Sequence, residues 1–497
     1  MRTIEADVAI VGSGAGGGTV AERLAVLCEQ GARVLLLEAG PHYTRDYFTQ
    51  RVAEMSQTLF NQGGGFATLD GAIIMTQGRM VGGSTGVYTG VTFRVPDRVL
   101  EEDWQVPGVT PEDLAPRFDR IEERINVVAP QDELVNPHNR LFRKGVEALG
   151  WECRTIRLNL KGCKKYGFCN LGCASGGKQG TLEVEVPRAT SRGVRLVPNA
   201  LVRRVAGEGL LDVRIREAPA GSEPGPEEPG EVRVEAKKIV LAGSTTGSPG
   251  ILLNSPAFRR LPTLGRFVTL HPATTVYGIH PEPVNGHLGF PKTYYCDQFS
   301  DSEGHYIETA FYYPMMTAKS IDAWGAAHRS IMRRYTHLMS CILLVHDRAE
   351  AHNRVLLGGG GVPQIKYRLS RESLQSLARS QRRTAEIFFA AGCDEVHLGL
   401  SSKILLDRDD QRNLDAYISA DHFRSGKTSI NSAHLMGGCR MGEDPEKSVC
   451  DGRGRVHGTD WLYVADGSLF PSCSHVNPYL TIMALADRVA EGILESR

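Results

Sequence analysis

The sequence predicts an α/β fold, and three observations predict it. An apolar run ends at Gly12, a helical pattern follows, and a second apolar run ends at Glu38. The junction carries the glycine spacing Gly12, Gly14, Gly17. The length, 497 residues with 41% hydrophobic content, suffices for roughly two to three domains around a large core.

The first element is the run "DVAIVGSGAGGGTVAERLAVLCEQGARVLLLEAG", read as a strand to Gly12, a helix from about Ala15 to Cys28 and a strand to Glu38. That strand-helix-strand order is a Rossmann-like dinucleotide unit. Gly12 permits the tight turn, Gly14 lets the backbone approach a pyrophosphate, and Gly17 lets the helix pack closely on the strand. The phosphates would sit on the helix N-terminus, with Ser13 and Ala15 in the turn as further contacts. Glu38, 24 residues after Gly14, is placed to accept both ribose hydroxyls, with Ala39 directly after it. A carboxylate there disfavours a 2′-phosphate, so FAD or NAD fits and NADP does not.

Charge removes whole classes of partner. Lys plus Arg equals Asp plus Glu at 57 each, leaving no basic field for nucleic acid or an anionic membrane. The start "MRTIEADVAIVG" runs straight into a strand without a leader pattern, and no apolar run approaches the roughly 18 residues of a membrane span. We expect no transmembrane segment and a cytoplasmic protein whose 11 cysteines stay reduced.

Further along, "APAGSEPGPEEPGE" at 218–231 lies between two alternating runs and reads as a solvated loop joining hairpin strands. Residues 371–391 read as an amphipathic helix packed by Leu374, Leu377, Ile387 and Phe388, with Ser370 as N-cap and Gly392 as stop.

The C-terminal segments "HLMGGCRMG" and "LYVADGSLFPSCSHVNPYLTIMALADRVAEGI", together with "GRMVGGSTGVYTG" at 78–90, resemble the signatures of the glucose-methanol-choline (GMC) flavoprotein oxidoreductases. The pattern is most similar to cholesterol oxidases and bacterial long-chain alcohol oxidases, which share something like "FRVPDRVLEEDW" and "LGRFVTLHPATTVYG". The resemblance selects FAD and implies a discontinuous architecture. Residues 1–95, 185–265 and 425–497 would form a Rossmann-like FAD-binding domain, with "AKKIVLAGS" returning the chain to its sheet. Residues 96–184 and 266–424 would form an α+β substrate domain whose antiparallel sheet roofs the flavin.

The resemblance also implies roles. His434, in "HLMGGC", would take the hydroxyl proton of an alcohol while hydride passes to the flavin, a task suited to a side chain that titrates near neutral pH. Asn477 would hydrogen-bond the alcohol oxygen and also serve as N-cap of the last helix, with Pro478 at its first position. His475 is a stand-in base. Asp466 and Gly467 would contact the ribityl chain and pyrophosphate, while Arg79, Gly82, Gly83, Ser84, Val202 and Gly243 are further cofactor contacts. Relatives often carry Asn-Gly where this chain has Tyr88, Thr89 and Gly90, so Thr89 and Gly90 are matched only loosely. No histidine lies between His42 and His138, so a histidyl link at this loop cannot form and the FAD is expected to be non-covalent.

Substrate is read from "IETAFYYPMMTAKSIDAW" at 307–324, whose aromatic and methionine content suits a hydrophobic alcohol. The alternatives are a sugar or glycoside dehydrogenase and, in another class, a flavin-dependent lyase or photodecarboxylase. The electron acceptor is oxygen or a protein or quinone carrier. Cys163, Cys169 and Cys173, spaced C-x5-C-x3-C in the loop 162–178, leave two readings open. The spacing resembles that of sugar dehydrogenases of the family that hold an iron-sulfur cluster, with Cys153 nearby in sequence; alternatively, these are structural thiols.

Overall fold

In the computed structural model, which describes residues 2–496, two large mixed sheets meet around one cavity. The first begins with β1 (Arg2–Val11), α1 (Ala15–Leu24) and β2 (Val34–Leu37). The expected helix to Cys28 is two pieces, α1 and a short turn at Val26–Glu29. They part because Ala25 N–H bonds the Glu22 carbonyl, three residues back, which tightens the turn.

β3 (Arg195–Val197), β4 (Ala200–Gly207), β5 (Leu210–Ile215) and β6 (Gly230–Leu241) complete the sheet with β7 (Leu462–Val464), in the order β3-β2-β1-β6-β5-β4. β6 is long enough, at 12 residues, to serve two neighbours on one edge. Residues 230–235 pair antiparallel with β5, residues 239–241 pair parallel with β7, and β1 runs parallel along the other edge. The biased segment at 218–231 joins β5 to β6 as a hairpin loop.

Two glycines make the β1–α1 junction possible. Gly12 has φ +100°, and a Cβ there would lie 2.3 Å from the Ala242 carbonyl oxygen. A Cβ on Gly17 would lie 1.8 Å from the Gly12 carbonyl oxygen, so α1 closes onto the strand end only with glycine. α1 packs on α3 (Tyr479–Glu495), numbered after α2 (Ser244–Leu253), which follows β6.

The second sheet has nine strands, centred on Ala273–Ile279 and Leu338–Val345. His305–Thr309 and Tyr294–Cys296 extend it on one side and Glu395–His397 on the other. Ile430–Ser432 joins it and pairs parallel with Ile73–Met75. The Arg371–Ala391 helix covers this sheet with both expected ends: Ser370 Oγ accepts the Ser373 N–H at 2.9 Å, and Gly392 has φ +107°. The run 307–324 is split, ending the strand His305–Thr309 and then forming the helix Pro314–Ser320. Among the described residues no helix is long and apolar enough to cross a membrane.

Candidate active site

A cavity of about 1590 Å³ lies between the sheets, larger than the roughly 300–1,000 Å³ of ordinary small-molecule pockets. Gly12, Gly14 and Ala15 line it at the start of α1, Gly243 at the start of α2, and Asn477 and Pro478 at the start of α3. In none of these three helices does the N-cap residue's own side chain close the first turn. Although Asp466 takes the first N–H of α2, the leading N–H groups of α1 are left for whatever fills the cavity. Converging helix N-termini favour an anion such as a pyrophosphate.

Glu38, Ala39, Arg79, Gly83, Ser84, Thr89, Val202, Asp466 and Gly467 also line the cavity. Glu38 is buried at the end of β2, where Oε2 accepts Ser13 N–H at 2.9 Å and Ser13 O–H at 2.7 Å and Oε1 accepts Gly40 N–H at 2.8 Å. Burial raises its carboxyl, against those bonds and the Arg79 guanidinium. Four expected contacts stand behind the wall. Ser13 Oγ accepts Gly82 N–H at 2.9 Å, so Ser13 and Gly82 tie the turn to the 79–90 loop. Gly17 is consumed by packing, and Gly90 lies against Asn159. Asp466 accepts Ser244 N–H and Ser468 N–H, each at 2.8 Å, fastening α2 to the end of β7. The donors at the helix starts, the acceptor at Glu38 and the size of the cavity fit FAD.

His434 and Asn477 meet on the same wall, with His434 Nε2 3.4 Å from Asn477 Nδ2. Asn477 is not the N-cap expected. Pro478 takes that place, its carbonyl accepting Ile482 N–H, and the Asn477 side chain turns to His434 and to Tyr306, whose hydroxyl donates to Oδ1 at 2.9 Å. His434 is half-buried, and burial, with the Lys292 ammonium second, pushes it down to about 3. It is therefore neutral, the form able to accept a proton. His475 faces away from the cavity: its backbone is left-handed at φ +59°, its ring stacks on His346 at 4.2 Å, and Nδ1 contacts Arg98 at 3.2 Å.

Sequence reasoning passed over His271, Tyr306 and Lys292. Pairing of Thr269–Leu270 with Leu435–Met436 brings His271 beside His434, with Nδ1 to Nδ1 at 2.9 Å. Lys292 lines the cavity and forms a buried ion pair with Glu308. The only local sign of His271 was its place in the quoted run "LGRFVTLHPATTVYG".

The three loop cysteines lie near one another, with Cys163 and Cys173 both acting on the Cys169 thiol. Among the described residues no group of three or more His, Cys, Asp or Glu side chains is placed to hold a metal ion. Cys163 Sγ accepts Lys165 N–H and Cys173 Sγ accepts Lys178 N–H, each at 3.4 Å, while burial pushes the Cys169 thiol up to about 12. Cys153 packs instead against the core of the second sheet. The group that organises the loop is Lys178, whose buried ammonium donates to the carbonyls of Gly86, Tyr88 and Cys169, each at 2.8 Å. It thereby braces the cavity-lining loop from behind.

Family profiles described as GMC oxidoreductase match residues 56–273 and 349–486. An uncharacterized GMC-type oxidoreductase of Mycobacterium tuberculosis is 30% identical, over 98% of this chain and 75% of that protein. A long-chain-alcohol oxidase of Arabidopsis thaliana is 26% identical, over 99% of this chain and 68% of its own. Among solved structures, a formate oxidase superposes with TM-score 0.74 at 14% identity, covering 100% of this chain and 99% of that one. Pyridoxine 4-oxidase from Mesorbium loti superposes with TM-score 0.72 at 17% identity, covering 99% of each.

Proposed function

Because the chain belongs to the GMC oxidoreductase family and is an FAD-dependent oxidoreductase, we propose that it oxidises a hydrophobic alcohol to the carbonyl compound with His434 as base. Bound FAD supplies the acceptor for the hydride leaving the alcohol carbon. His434 Nε2 takes the hydroxyl proton, and Asn477 Nδ2, a donor that cannot act as base, holds the alcohol oxygen. The observation that carries this reading is the contact of those two atoms on the cavity wall. At 3.4 Å it is long for a hydrogen bond, so an alcohol hydroxyl that donates to Nε2 and accepts from Nδ2 replaces it with two better ones.

Glu38 would accept the ribose hydroxyls, and the helix starts at Gly14 and Gly243 would face the pyrophosphate. Asp466 would hold the start of α2 in place. The loop 79–90 contains no histidine, which supports non-covalent FAD. Tyr312, Tyr313, Met315 and Met316 line the cavity and support an apolar substrate. The alcohol oxidases among the relatives support oxygen as electron acceptor. The proposed FAD-binding segments 1–95, 185–265 and 425–497 contain every strand of the first sheet, and also Ile73–Met75 and Ile430–Ser432 of the second. A cytoplasmic location is part of the proposal, supported by 11 cysteines that are all free thiols.

The test is anaerobic mixing of the yellow holoenzyme with primary alcohols of increasing chain length. Bleaching that quickens with chain length, and hydrogen peroxide on readmitting air, are expected. A flavin that no alcohol bleaches would overturn the reading in favour of a lyase or light-driven decarboxylase.

A further inference from the structure

We propose that His271 and Cys473 are positioning residues that set the tautomer of His434, so that its unprotonated Nε2 faces the cavity; this rests on reading His434 as the base. A base histidine needs its outer nitrogen bare, hence its inner nitrogen protonated and given an acceptor, a place often filled by a carboxylate. Among the described residues the His434 ring has two hydrogen-bond partners, His271 and Asn477, and neither is acidic.

The direction of the chain follows from its first member. Tyr306 O–H donates to Asn477 Oδ1 at 2.9 Å, which turns the amide Nδ2 toward His434 Nε2. Nδ2 only donates, so Nε2 must offer a lone pair. The neutral ring then carries its proton on Nδ1 and donates it to His271 Nδ1 at 2.9 Å. His271 in turn carries its proton on Nε2 and donates to Cys473 Sγ at 2.8 Å.

Cys473 suits the end of such a chain. It is fully buried, and its sulfur already accepts the His475 N–H at 3.4 Å. His271 is also fully buried, and burial, with the neighbouring His434, His346 and His475 after it, holds it well below the ordinary histidine range. It is thus a neutral imidazole with one acceptor and one donor nitrogen, both used. The reverse arrangement would put Nε2–H into the cavity, where His434 could not take a proton. A neutral acceptor also stabilises the imidazolium less than a carboxylate would, which favours release of the proton to solvent once hydride has left.

The experiment is nitrogen NMR of the holoenzyme labelled in its histidine rings, with His434→Gln used to identify the His434 signals. The expected wild-type result is a protonated Nδ1 and a bare Nε2. In His271→Leu the proton should move to Nε2, with flavin reduction slowed about 10- to 100-fold and substrate KM within about twofold. His271→Asn, whose amide oxygen can stand near the lost Nδ1, should keep the wild-type signals and most of the rate. Cys473→Ser should resemble wild type, and Cys473→Val should resemble His271→Leu. A wild-type His434 protonated on Nε2, or full-rate reduction by a folded His271→Leu enzyme, overturns the proposal. If the His271 variants do not fold, the wild-type spectrum decides alone. Full-rate reduction in His434→Ala would instead overturn the base assignment and leave the tautomer result standing.

Discussion

Replacing Glu38 by glutamine keeps the shape of a buried carboxylate while removing its charge and one acceptor. A glutamine oxygen that retains both Ser13 bonds puts its Nε2 hydrogens against Gly40 N–H, donor to donor. A buried donor left without a partner costs about 1–3 kcal/mol. That share falls equally on empty and loaded protein, so it should appear as lost resistance to urea. The share specific to FAD is the change from a charged to a neutral acceptor for the ribose hydroxyls, about 1 to 1.4 kcal/mol, or roughly 5- to 10-fold in Kd. The pH dependence has a definite sign. Burial raises the Glu38 carboxyl above its ordinary value of 4.5 in the empty protein. Ribose hydroxyls donate to the ionised form, so FAD binding pulls this pKa back down. FAD affinity should therefore be flat at pH values above the raised pKa and fall as the pH drops through it, whereas Glu38→Gln should lack that limb. Titrating apoprotein with FAD by flavin fluorescence measures both effects. An unchanged Kd, or the same acid limb in the glutamine variant, would refute the assignment of Glu38 to the ribose.

His434→Ala should retain FAD and slow its anaerobic reduction by alcohol about 10²-fold or more, read by stopped-flow absorbance; reduction at the wild-type rate would rule His434 out as base. Lys292 and Glu308 have side chains 8% and 0% exposed, so Lys292→Ala strands a buried carboxylate and should cost about 3–5 kcal/mol in urea unfolding. The double variant Lys292→Met, Glu308→Leu should recover most of this, and an alanine variant as stable as wild type would contradict the pair's role. Metal analysis of anaerobically purified protein should find FAD without stoichiometric iron or acid-labile sulfide, and Cys169→Ser should leave the visible spectrum unchanged. Iron that disappears in that variant would establish the cluster.

Local features were legible in the chain because local forces set them. Ser370 and Gly392 end their helix as expected, since a cap bond spans three residues and a left-handed stop is a property of glycine itself. Glu38 was legible as the acid closing β2, but the donors holding its carboxylate, Ser13 and Gly40, were not assigned that role. Asn477 was misplaced by one residue as an N-cap. A polar residue before proline has the sequence of a cap, yet its amide is claimed by Tyr306 from 171 residues away.

By itself, then, the sequence determined the strand-helix-strand unit, both ends of the Arg371–Ala391 helix and, through the resemblance of two C-terminal motifs, the roles expected of His434 and Asn477. Periodicity and glycine spacing are short-range properties, and they survive in one dimension. Only the tertiary structure decided what stands behind the reacting pair. His271 reaches His434 across 163 residues because two short strands pair Leu270 with Leu435, and Cys473 closes the chain from a third segment. That register is settled by burial of the core as a whole, so no local pattern marks which histidine carries it.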